Sequence, residues 1–286
     1  MKNNFKPKPF LKWAGGKTQL LSQFDSILPK KFNNYIEPMV GGGAVYFHLY
    51  KKQLINNAVL IDLNAELINV YQVLKENVDS LLEKLVEMKD IYQANPKTYF
   101  YKIRNIDRDN NFHKKDNLEK AARTIFLNKT CFNGLFRVNK KGLFNTPIGR
   151  YSNPTIVDKD NLLEVSKALQ NVQIVNADFE DSINYVNEND FIYIDPPYYP
   201  ISKTAYFTSY TKDNFLEDEQ IRLRDFAIKL AKKKALVMLS NSDTDFIKEI
   251  YNEPNMFNIH KVNAKRFINS KSSGRGLICE LVITNY

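Results

Sequence analysis

Long apolar runs, metal-ligand spacings and paired cysteines are all missing from this sequence. No stretch approaches the roughly 20 apolar residues that cross a bilayer, and Met1-Lys2-Asn3-Asn4 opens no signal-peptide pattern. A cytoplasmic protein with no membrane partner is expected. Cys131 and Cys279, the two cysteines in 286 residues, lie far apart in apolar surroundings, which excludes a disulfide scaffold and fits free thiols. His48, His113 and His260 are scattered, so no metal is expected. Acid is missing locally. There is none between Glu119 and Asp158, where Lys120, Arg123, Lys129, Arg137, Lys140, Lys141 and Arg150 fall. There is none between Glu253 and Glu280 either, a stretch holding Lys261, Lys265, Arg266, Lys271 and Arg275. The net charge of +9 is thus gathered into two basic segments, a pattern that suits nucleic acid better than general solubility.

What is present centres on Phe191-Ile192-Tyr193-Ile194-Asp195-Pro196-Pro197-Tyr198. Four residues of strand character run into an acid and two prolines, and proline cannot continue a ladder. The strand therefore stops at Asp195, at the carboxyl end where open α/β sheets hold their ligands. The prolines fix φ and donate nothing, leaving a stiff turn with carbonyl acceptors beside the aromatic plate of Tyr198. Such a turn suits a planar amino group stacked on a ring, although a plain strand exit reads the same way.

Near the start, Trp13-Ala14-Gly15-Gly16-Lys17-Thr18 imitates the tail of a phosphate-binding loop, but Leu11 stands where that motif needs glycine. A helix opening near Lys17 is expected, with Trp13 either a ligand contact or a core plug. Next, Glu37-Pro38-Met39-Val40-Gly41-Gly42-Gly43 follows a strand and opens a helix, which lets backbone approach a nucleoside closely. Tyr46 replaces the third glycine of a dinucleotide fingerprint, which disfavours a dehydrogenase. Asp62, ending the next strand, is placed to hold a ribose or to cap the following helix.

From 64 to about 123 the pattern is helical, with stripes at Val78, Leu81, Leu82, Leu85, Val86 and at Leu118, Ala121, Ala122, Ile125. Strand pattern resumes near Val172. The intervening tip, 128–151, has turns at Asn133-Gly134 and Lys141-Gly142 and reads as a hairpin-like element. Its arginine and asparagines suit guanine and adenine edges, and Phe132, Leu135 and Pro147 suit thymine methyls or a base step. A loop rich in Ser, Thr and aromatics over 198–210 is a candidate lid. The turn at 271–276 suits phosphate.

A nucleoside loop, a ribose acid, an amine clamp and a basic module together point to methyl transfer from S-adenosylmethionine to an exocyclic base amine. Asp195 and a proline carbonyl would localise the nitrogen lone pair while Tyr198 stacks on a base drawn from the duplex. These motifs, with Ile61-Asp62-Leu63-Asn64, Phe132-Asn133-Gly134-Leu135-Phe136-Arg137-Val138-Asn139 and Phe207-Thr208-Ser209-Tyr210-Thr211, resemble the Dam-type, alpha-class (D12) DNA adenine-N6 methyltransferases, particularly the DpnII-type GATC methylases. The resemblance covers essentially the whole chain, with Met39 where the family usually has phenylalanine.

The resemblance implies an α/β, Rossmann-like methyltransferase sheet with an inserted helical target-recognition domain. The catalytic domain is expected over 1–63 and 155–286 and the insertion over 64–154. Catalysis falls to Asp195, Pro196, Pro197 and Tyr198. The cofactor falls to Trp13, Lys17, Glu37, Pro38, Met39, Gly41, Gly43, Asp62 and Asp195. DNA falls to Phe132, Asn133, Leu135, Arg137, Asn139, Pro147 and Tyr151, with Arg137 on the guanine, Leu135 and Pro147 on the thymine, and Phe132 and Asn133 in the space the adenine leaves. The expected partners are double-stranded DNA and a cognate restriction endonuclease, for a monomer that is bacterial, archaeal or phage-encoded. The alternatives are another target site, cytosine N4, RNA, or a non-catalytic DNA-binding regulator.

Overall fold

The computed structural model describes residues 6–201, 215–253, 255–265 and 277–286. Residues 202–210 of the expected lid, the motif Phe207-Thr208-Ser209-Tyr210-Thr211 and the basic turn at 271–276 lie outside them, as do Arg266 and Pro254. In chain order the elements are α1 (Leu21–Phe24), β1 (Tyr35–Pro38), α2 (Ala44–Lys51), β2 (Ala58–Asp62), α3 (Ala65–Glu76), α4 (Val78–Ala94), α5 (Pro96–Arg104), α6 (Asn117–Thr130) and α7 (Lys159–Leu169). They continue as β3 (Val172–Asn176), β4 (Phe191–Ile194), α8 (Glu217–Lys232), β5 (Leu236–Ser242), α9 (Asp245–Ile250), β6 (Asn258–Lys265) and β7 (Leu277–Thr284).

The strands form one seven-stranded sheet in the order β3-β2-β1-β4-β5-β7-β6. β1 to β5 are parallel, and β7 runs antiparallel between β5 and β6. The order 3-2-1-4-5 is that of a doubly wound sheet, and it reverses between β1 and β4. β4 shows why both faces are covered. Phe191 and Tyr193 enter the core shared with α2, α3 and α6, whereas Ile192 and Ile194 enter the core beneath α8 and α9. The period of two distributes a continuous apolar run to two layers. Burying each such aliphatic side chain is worth about 1.5–3 kcal/mol.

α3 starts where Asn64 accepts the Leu67 N–H at 3.1 Å. Asn64 therefore caps the helix, not Asp62, whose carboxylate is left for the glycine loop. Several expectations change. The helix near Lys17 begins only at Leu21, after a turn closed by Leu20 N–H on the Lys17 carbonyl at 2.8 Å. Val86 leaves its apolar stripe and lies 46% exposed. The acid-free stretch after Glu253 contains a strand, β6, which its lysine- and asparagine-rich composition concealed. Among the described residues no helix is long and apolar enough to cross a membrane.

Candidate functional site

The reversal between β1 and β4 opens a crevice at their carboxyl ends. One wall is the glycine loop. Met39 (φ 65°), Gly41 (φ 50°) and Gly43 (φ 66°) all take left-handed backbone, and Gly43 caps α2. For Met39 this conformation costs about 1–2 kcal/mol, a strain placed at the crevice wall. A Cβ on Gly41 would stand 2.8 Å from Trp13 Cδ1, so only glycine lets the indole pack here. Trp13 also stacks on Phe136, with centroids 5.4 Å apart, and so joins the loop to the basic tip.

Asp62 holds the loop from β2. Its Oδ2 accepts the Gly41 N–H at 3.0 Å and its Oδ1 the Asn64 N–H at 2.9 Å. Burial pushes this carboxyl up, and the two N–H donors pull it back. Each oxygen keeps a lone pair, because a carboxylate offers about four acceptor sites. Glu37, on β1 beside Pro38, is 2% exposed. Its Oε2 accepts from the Tyr35 hydroxyl at 2.7 Å and the Tyr46 N–H at 3.2 Å, while burial pushes its carboxyl up to about 8.

The other wall is the turn after β4. Asp195 Oδ1 lies 2.7 Å from Lys17 Nζ, which also donates to the Gly15 carbonyl at 2.6 Å. Burial pushes the Asp195 carboxyl up, the Lys17 ammonium counters it, and Glu280 adds to the rise. The same ammonium sits 4.5 Å from the centre of the Tyr198 ring, whose hydroxyl donates to Glu280 Oε2 at 2.7 Å. The Pro197 carbonyl accepts from Gln220 Nε2 at 2.9 Å, whereas the Pro196 carbonyl has no partner among the described residues. Two acceptors, Asp195 and Pro196, therefore remain for the two hydrogens of an amino group.

The basic tip is hairpin-like but not a ladder: only Val138–Phe144 and Cys131–Ile148 pair across it. Phe132 is 48% exposed beside Asn133, whose φ is 55°. Pro147 is exposed, Leu135 half-buried, and the Pro147 carbonyl accepts the Phe132 N–H at 2.9 Å. Arg137 is exposed and donates Nε to Asn145 Oδ1 at 2.7 Å, leaving its terminal nitrogens unpaired among the described residues. The Asn139 side-chain oxygen is used within the tip's own turn, by the N–H groups of Lys141 and Leu143. Lys12 Nζ stands 4.9 Å above the Tyr151 ring. Arg123 departs from the sequence reading. It is 2% exposed, paired with Asp107 at 2.7 Å, and belongs to the core beneath the tip rather than to its basic face.

Residues the sequence did not single out complete the site: Glu280, Gln220, Asn241 and Asn145. A signal existed only for Asn241, where the apolar run Leu236-Val237-Met238-Leu239 turns into Ser240-Asn241-Ser242 at the strand's carboxyl end.

Known proteins place this architecture. The family model of the D12 class N6 adenine-specific DNA methyltransferases matches residues 13–268. The Type II methyltransferase M.MjaIII of Methanocaldococcus jannaschii is 49% identical over 98% of this chain and 99% of its own. The Type II methyltransferase M1.LlaDCHI of Lactococcus lactis subsp. cremoris is 43% identical over 100% and 98%. The DNA adenine methylase of Escherichia coli K12 is 32% identical over 97% and 95%. With the crevice, the clamp and the basic tip in the expected order, the chain belongs to the D12 class of N6 adenine-specific DNA methyltransferases.

Proposed function

We propose that this chain methylates adenine N6 in duplex DNA at GATC, from S-adenosylmethionine, and protects DNA alongside a cognate restriction endonuclease. The observation that carries the reading is the pair of acceptors at the sheet's reversal, the Asp195 carboxylate and the Pro196 carbonyl, which has no partner among the described residues. The crevice beside them fits S-adenosylmethionine: left-handed glycines keep side chains out of the loop, and Asp62 retains a lone pair on each oxygen for a ribose. Trp13, Lys17, Glu37, Pro38, Met39, Gly41, Gly43, Asp62 and Asp195 would hold it. Bound there, it supplies a methyl already activated on a sulfonium.

The chain's own residues do the rest. Asp195 and the Pro196 carbonyl accept the two amine hydrogens and draw them from the ring plane, which localises the nitrogen lone pair. Tyr198 offers a ring face to the extruded base. Lys17 counters the rise that burial imposes on the Asp195 carboxyl. Residues 64–154 serve as the target-recognition insertion on a catalytic domain of 1–63 and 155–286. Arg137, pinned at Nε by Asn145, has both terminal nitrogens for a bidentate guanine contact. Leu135 and Pro147 meet the thymine, Phe132 and Asn133 enter the vacated space, and Asn139 and Tyr151 border the duplex. The names of two relatives, Type II methyltransferases, support the restriction-system reading. The chain acts as a cytoplasmic monomer.

The test is transfer from labelled S-adenosylmethionine to two duplexes, one with GATC and one with that site scrambled. Label on the first alone, recovered as N6-methyladenine, is expected. Label on both would discard the specificity, and cofactor binding without transfer to either would discard the assigned target.

A further inference from the structure

The turn after β4 is held from outside by a buried amide relay. Asn241, on β5, and Gln220, on α8, are both fully buried. Asn241 Nδ2 donates to Gln220 Oε1 at 2.9 Å, and Gln220 Nε2 donates to the Pro197 carbonyl at 2.9 Å. Asn241 Oδ1 accepts the Tyr199 N–H at 3.2 Å and the Ser242 N–H at 2.9 Å. Ser242 Oγ donates to the Tyr199 carbonyl at 2.7 Å. The residues on either side of Tyr198 are thus pinned to β5 and α8.

We propose that Gln220 and Asn241 are positioning residues that aim the Pro196 carbonyl at the substrate amine. Pro197 has a ring-fixed φ, so on its two sides only the Pro196 ψ can turn the peptide carrying that carbonyl. β4 holds one end of the segment and Gln220 the other, which leaves the Pro196 carbonyl one direction. Occupying the Pro197 carbonyl also removes a competing acceptor, so the amine meets one carbonyl and one carboxylate. Neither residue touches the base. Their amides set the backbone that does.

The inference rests on the assignment of Asp195 and Pro196 to the amine. Gln220→Leu removes the donor, and kcat is expected to fall about 10- to 100-fold. KM for the GATC duplex and the cofactor affinity should stay within about threefold, the signature of a contact made in the transition state. Gln220→Glu supplies a readout that a purely structural residue would not move. Protonated, the new carboxyl donates to Pro197 and accepts from Asn241; ionised, it repels the carbonyl. Burial raises its pKa, so kcat should be retained at low pH and lost as pH rises through that raised value. The groups around the turn (Asp195, Lys17, Glu280, Tyr198 and, on α8, Glu217 and Glu219) are common to both proteins, so the difference between their profiles belongs to position 220. A Gln220→Glu profile parallel to the parent, or Gln220→Leu with kcat within about twofold, overturns the proposal. If Gln220→Leu fails to fold, the Gln220→Glu profile decides. Asp195→Ala separates the two ideas: turnover by that variant would sink the amine assignment itself, whereas its loss beside an unaffected Gln220→Leu would sink the relay alone.

Discussion

Glu37 is nearly free of solvent, with a tyrosine hydroxyl and a backbone N–H on one of its oxygens, and that placement links stability to pH. Its carboxyl is pushed up to about 8 from an ordinary 4.5, so the folded chain keeps a proton that the unfolded chain has released. This contribution is fully present below the unfolded value and is lost as pH rises through the window to about 8. The cofactor-free protein should therefore unfold more readily at pH 8 than at pH 5.5, by up to about 3 kcal/mol. Glu37→Gln should flatten that slope in denaturant titrations at the two pH values. Equal slopes for parent and variant would remove Glu37 from the pH dependence. Sequence could place Glu37 beside the glycine loop but could not tell a charged ligand contact from a buried acid, because its partners Tyr35 and Tyr46 declare themselves only by packing.

Two arginines of one acid-free segment separate at the scale of α6 and the tip. Arg123, on α6, pairs with Asp107 at 2.7 Å and Glu66 at 3.4 Å and donates to the carbonyls of Ile103 and Arg104. Asp107 in turn accepts the Phe144 N–H at 2.8 Å and pairs with Arg108, so α6, the turn after α5 and the tip share one buried charge network. Arg123→Ala would leave Asp107 with only Arg108 and the Phe144 N–H, at a cost of about 1–3 kcal/mol. Arg137→Ala, on the exposed face, should change stability by no more than about 0.5 kcal/mol while loosening discrimination at one base pair by about 1–3 kcal/mol. Denaturation of both variants, with competition binding to duplexes altered one pair at a time, checks the contrast. A stable Arg123→Ala or an unchanged preference in Arg137→Ala would reverse these assignments. Along the chain the two look alike; one points into a helix bundle and the other out of a turn.

For the whole molecule, the excess of nine positive charges matters by where it lies. Lys140 and Lys141 are exposed at the tip, next to Arg137. Lys234, just before β5, pairs with Glu188 at 3.1 Å at the amino end of the strands, away from the crevice. Replacing Lys140 or Lys141 by alanine should weaken duplex binding similarly for all sequences and reduce the slope of log K against log salt by about 1 each. Lys234→Ala should leave the slope alone. An equal effect from all three would mean that net charge, and not the tip, attracts DNA.

By itself the sequence determined which motifs occur and in what order along the chain: the glycine loop, Asp62, the basic tip, and Asp195-Pro196-Pro197-Tyr198. These are short-range signals, in which a strand, its proline stop and its terminal acid are covalent neighbours. Only the tertiary structure decided what holds and tunes them. Glu280 reaches Tyr198 across 82 residues and Lys17 reaches Asp195 across most of the chain, and neither contact leaves a period or spacing in the sequence. The fold decided equally that Arg123 is core and that the Pro197 carbonyl is taken by Gln220, because burial and hydrogen-bond partnership exist only once α8, β5 and β7 have closed on the turn.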